Sequence, residues 1–112
     1  MTDKGRVVVV AAGFALWSGG RCVAAARWAD VRRLRAYVPG DSADTPMRLG
    51  VELLNETIVE LHEAAPGFDA FLDRASATLP GMLPFAAWHA LLRAGTSHAD
   101  GVVVFERVAR RY

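Results

Sequence analysis

The strongest constraint on this chain is the stretch 60–81, ELHEAAPGFDAFLDRASATLPG, which reads as a strand running through a proline into one amphipathic helix. Phe68, Phe71, Leu72, Ala75 and Leu79 recur at three- and four-residue spacing, the pattern of a single buried stripe. Asp69, Asp73, Ser76 and Thr78 fall largely away from that stripe. Pro66 suits a first helical turn, where a missing N–H costs nothing and φ is already helical. Asp69 and Asp73 favour the positive end of the helix. Pro80 and Gly81 stop it, because proline cannot continue the hydrogen-bond ladder. Each large apolar side chain contributes about 1.5–3 kcal/mol when buried, so Phe68, Phe71, Leu72 and Leu79 suffice to dock the helix on a sheet.

The residues before this stretch have strand character. Residues 6–11 are a valine-rich run, and β-branching favours an extended chain. Residues 14–17 form a second strand that ends at Ser18-Gly19-Gly20, a hairpin signal. Residues 21–28 return, with Cys22, Ala24, Ala26 and Trp28 on one face and Arg21, Val23, Ala25 and Arg27 on the other. Trp28-Ala29-Asp30-Val31 makes a tight corner in which Asp30 is expected to bond nearby backbone N–H groups. Residues 31–38 resume as a strand, with Leu34, Ala36 and Val38 facing opposite to Arg33, Arg35 and Tyr37. A polar loop, 39–46, leads to strands at 48–54 and 57–62 joined by an Asn55-Glu56 turn. After the main helix, residues 84–92 predict a short helix whose apolar side is Phe85, Trp88 and Leu91 or Leu92, with Gly95 as its cap. Residues 102–108 are a last strand. The expected fold is α+β: a mostly antiparallel sheet or partly open barrel of about seven strands, covered by one main and one short helix. Its 112 residues are expected to make one domain, 1–112.

Net charge is +1, so the chain as a whole has no pull toward nucleic acid or membrane. The charge is nonetheless segregated. Residues 1–38 carry seven basic against two acidic groups, 39–73 one against eight, and 74–112 five against two. The acidic block yields one candidate binding surface: Asp41, Asp44, Glu52, Glu56, Glu60 and Glu63. The competing reading is that opposite charges on adjacent strands simply pair, at about 0–1 kcal/mol each. Arg32, Arg33 and Arg35 form an alternative, basic surface. The basic residues lack interleaved exposed aromatics, which argues against nucleic acid.

No catalytic, cofactor or metal set is expected. His62 shares a strand face with Glu60, but a structural metal needs four ligands and the single cysteine is far off in sequence. His89 reads as the polar side of the short helix. Ser97, His98 and Asp100 crowd one loop, where nucleophile–base–orienter geometry is seldom reached. The glycines match neither a phosphate loop nor a dinucleotide fingerprint. Cys22, alternating with alanines, reads as a buried and inert thiol. One cysteine allows no disulfide framework and suits a reducing, cytoplasmic setting. The opening 7–17 run is interrupted by Gly13 and rich in valine, unlike a signal-peptide core.

The W-x-D-V corner at Trp28, Asp30 and Val31, followed by a strand, a polar loop and a strand pair, resembles small bacterial domains of pleckstrin-homology-like build. The later E-x-x-x-G-F-x-x-F with L-P-G, at Glu63, Gly67, Phe68, Phe71, Leu79, Pro80 and Gly81, is similar to a group of uncharacterised small bacterial proteins. The chain departs from the pleckstrin plan by closing on a strand instead of a long helix. The resemblance implies phospholipid or membrane-surface binding, for which Arg32, Arg33 and Arg35 are the residues at hand. Small size and a concentrated acidic stretch lead to a different expectation. They suit a non-enzymatic protein-binding module, in its narrowest form an immunity-type inhibitor that blocks a basic toxin domain.

Overall fold

The computed structural model describes residues 5–39, 46–93 and 101–107. Strands β1 (Arg6–Val10), β2 (Gly13–Ser18) and β3 (Arg21–Arg27) make one sheet in that order. Strands β4 (Val31–Tyr37), β5 (Arg48–Leu53), β6 (Ile58–His62) and β7 (Val102–Glu106) make a second sheet in the order β6-β5-β4-β7. Every described pairing is antiparallel. Helices α1 (Phe68–Thr78) and α2 (Phe85–Arg93) lie between β6 and β7 in the chain. The expected α+β class holds, with the seven strands divided three and four.

A 3₁₀ turn, Trp28–Asp30, joins the two sheets. Among the described residues no backbone N–H bonds the carboxylate of Asp30, contrary to expectation. Its carboxylate takes the Arg27 Nε instead, at 3.3 Å, and its carbonyl accepts the Leu54 N–H at 2.9 Å. The corner is held by a residue that sequence reasoning passed over. Arg107 donates from Nε to the Val31 carbonyl at 2.9 Å and from Nη2 to the Trp28 carbonyl at 3.2 Å. A guanidinium carries several donors in a fixed fork and so can reach two carbonyls of one turn together.

One apolar cluster runs between the sheets and α1. Phe71 is fully buried and Phe68 nearly so, as the helical stripe requires. The Phe71 ring lies edge-on to Phe14, centroids 5.0 Å apart, and 5.3 Å from Trp28, so α1 meets both the small sheet and the corner. Pro66 stands outside the helix and not in its first turn. Gly67 caps α1 in the left-handed region, φ 89°, and the Pro66 carbonyl accepts the Val7 N–H at 2.8 Å. The chain thus spends Pro66 on covering the edge of β1. In α2, Trp88 is fully buried and Leu92 packs on the core, while Phe85 and Leu91 are exposed. The apolar side of that helix is therefore narrower than its composition suggests. Among the described residues no helix is long and apolar enough to cross a membrane.

Candidate functional site

The two sheets turn outer faces of opposite character to solvent. On the large sheet, β4 alternates Leu34 and Ala36 inward with Arg33, Arg35 and Tyr37 outward. Antiparallel register sets Arg33 between Glu52 on β5 and Glu106 on β7. Arg33 reaches Glu52 at 3.2 Å and Glu106 at 2.5 Å, and Arg35 lies 3.9 Å from the other Glu52 oxygen. The Glu106 hydrogen bond and the Glu52 charge hold the Arg33 guanidinium further toward its protonated form. Glu60 on β6 accepts from Arg48 and from the Tyr37 hydroxyl. Those contacts, the tyrosine's first, lower its affinity for a proton.

The same contacts act in reverse on Tyr37. Burial, then the Glu60 hydrogen bond, push its hydroxyl up to about 12. The sign of the linkage follows. Above the unfolded tyrosine's pKa near 10 the unfolded chain loses a proton that the folded chain keeps, so stability falls as pH rises. Urea midpoints measured across pH 9 to 12 (a range set by these two pKa values) are expected to drop more steeply for the native chain than for Tyr37→Phe. Parallel curves would show that Tyr37 contributes nothing to alkaline sensitivity.

The remaining predicted residues are placed as follows. Glu63 accepts the Met47 N–H at 3.0 Å and lies 3.7 Å from His89 Nε2. His89, expected on a polar helix side, is half-buried and stacked on Phe85 at 4.7 Å. His62 Nδ1 accepts the Ala64 N–H at 3.1 Å, which leaves its other nitrogen to carry the proton of the neutral ring. Glu56 projects from the β5–β6 turn with φ 71°, and among the described residues no side chain pairs with it. Arg32 is exposed. Asp41, Asp44, Gly95, Ser97, His98 and Asp100 lie outside the described residues. Among the described residues no three of His, Cys, Asp and Glu gather as a metal set.

The small sheet is different. Val7, Val9, Phe14, Leu16, Ala24 and Ala26 face the core. Val8 then pairs with Ala15 and Ala15 with Ala25 on the outer face, with no charged side chain in the row. Val8, Val10, Trp17 and Val23 are 40%, 53%, 40% and 57% exposed, which leaves apolar surface bare across all three strands. A shallow hollow of about 440 Å³ lies there, lined by Val8, Val10, Gly13, Ala15, Ala25 and Arg27 among others. The ladder slips between Leu16 and Trp17, so that Leu16 faces Ala24 but Trp17 faces Cys22. Val23 is the extra residue of this bulge. The slip overturns the strict alternation expected on β3 and explains why Cys22 is exposed, not buried.

The sequence marks 6–11 and 14–17 as strands but assigns Val8, Val10 and Trp17 no face. Which face met the core depended on where α1 docked, and the bulge had no signal in composition. Comparison with protein-family models, with curated proteins and with solved structures finds no match for this chain.

Proposed function

We propose that this protein is a non-enzymatic protein-binding module that meets its partner through the outer face of the β1-β2-β3 sheet. The bare apolar surface of Val8, Val10, Trp17 and Val23 carries the reading. Contiguous exposed apolar surface is costly in water unless something covers it, and tryptophan is enriched where partners anchor. The ionisable residues of the large sheet hold one another, which favours binding over catalysis. The exposed lone thiol of Cys22 suits a reducing compartment, and the proposal sets the protein in the cytoplasm.

The narrower form, an immunity-type inhibitor working through an acidic surface, asks more of the structure. Glu52, Glu60 and Glu63 would have to leave Arg33, Arg48, Tyr37 and the Met47 amide to meet a basic toxin domain. Among the described residues of that surface, Glu56 alone has no side-chain partner to give up. Membrane binding through Arg32, Arg33 and Arg35 meets the same obstacle at Arg33 and Arg35. The apolar face requires no such exchange.

A photo-crosslinking residue at position 23, compared with one at position 58 on the far edge of the large sheet, tests the proposal in cells. A defined protein is expected to crosslink from 23 and not from 58, and Val10→Glu with Trp17→Glu is expected to abolish it while leaving the thermal midpoint within a few degrees. Equal crosslinking from both positions, or capture that survives the double substitution, would remove the apolar face as the binding surface.

A further inference from the structure

We infer that the partner is an extended segment with acidic residues at both ends of an apolar run, and that it adds to the β3 edge as a fourth strand. The inference rests on the apolar-face reading and specifies its occupant. β3 is an edge strand, and among the described residues its only ladder partner is β2. The opposite edge, β1, is already covered: Val7 donates to the Pro66 carbonyl and α1 packs alongside. An open edge needs backbone donors and acceptors, which another strand supplies and a lipid surface does not. The outer face beside β3 is apolar at Val23 and Ala25, so alternate side chains of an added strand would extend the same surface over the hollow.

Charge selects among strands. β3 begins at Arg21 and ends at Arg27, and with Val23 bulged out of the ladder the two stand opposite Ser18 and Gly13, so about 17 Å apart along the strand and on opposite faces. Among the described residues Arg21 has no acidic partner, and Arg6 on β1 has none either. Arg27 has only Asp30, at 3.3 Å and largely exposed, a pair weak enough to be displaced. A second copy is the obvious rival. Full-length antiparallel pairing of two β3 strands sets Arg21 against Arg27 at both ends, and like charges directly opposite are unfavourable. An incoming strand with carboxylates at its first and sixth positions, one on each face, meets both arginines instead.

The test uses the full chain and two labelled, end-blocked peptides, EVTVTE and KVTVTK. The first is expected to bind at least about tenfold more tightly at low ionic strength, and added salt is expected to erase the difference. Amide exchange is expected to slow across residues 22–26 and not along β6. Arg21→Glu with Arg27→Glu is expected to reverse the peptide preference. Equal binding of the two peptides, protection along β6, or capture by anionic vesicles with neither peptide bound would overturn the inference. The two readings fail separately. If Val10→Glu with Trp17→Glu abolishes partner crosslinking while the arginine reversal leaves it intact, the apolar face stands and the added strand falls.

Discussion

Phe71→Ala is expected to lower the free energy of unfolding by about 3–5 kcal/mol, the range for deleting a buried aromatic ring. Phe71 is fully buried and touches both Phe14 of β2 and Trp28 of the corner. Its removal leaves a void where three elements meet, and such a site cannot collapse by moving one of them. Domains of this size have about 5–15 kcal/mol of stability, so the variant should lose at least about a fifth of its margin. Phe85→Ala is the internal control. That ring is 40% exposed and packs against Trp88 and His89, so its loss should cost about 1 kcal/mol or less. Urea midpoints with unchanged slopes would give both values. If the two substitutions cost the same, α1 is not the element that closes the core.

This helix was the most legible part of the sequence, because five residues at helical spacing admit one buried face. The strands were nearly as clear, since β4 alternates apolar and polar side chains from Arg33 to Tyr37 and β5 turns Leu49, Val51 and Leu53 to one face. The division into two sheets was not visible. Strand alternation sets which residues share a face, but pairing partners depend on how the Trp28–Asp30 corner turns the chain, and that corner is held by Arg107 from the far end of the sequence. A contact spanning 79 residues leaves no local signal.

The acidic block was legible as charge but not as geometry. Segment sums put eight carboxylates together between residues 39 and 73, whereas antiparallel pairing sets β4 between β5 and β7 and interleaves the signs. Arg33 finds Glu52 and Glu106 because register puts them opposite, not because they are near in sequence. The same pairing leaves the middle of the small sheet's outer face without charge. Its strands carry valine and alanine at the outward positions, and their arginines stand at the strand ends. Segregation by sheet, not by segment, is what makes one face self-satisfied and the other available.

Gly67→Ala is expected to destabilise the protein by more than Gly81→Ala, although both glycines have φ above 80°. A left-handed conformation costs an L-residue about 1–2 kcal/mol, and that is all Gly81→Ala should lose, since nothing lies within 4 Å of the added Cβ. At Gly67 the added carbon would run into the Val7 carbonyl oxygen, part of the backbone, which cannot swing aside as a flexible side chain would. The strand or the helix must move, and either motion strains the Val7 to Pro66 hydrogen bond that seals the β1 edge. The expected loss is about 3 kcal/mol or more, with the Val7 amide exchanging faster than its neighbours on β2. The consequence reaches beyond stability. With β1 uncovered the small sheet would have two open edges, and the variant should self-associate at concentrations where the native chain and Gly81→Ala do not. Equal losses at the two glycines, with no new association, would mean that the close approach of α1 to β1 neither fixes the helix nor guards that edge.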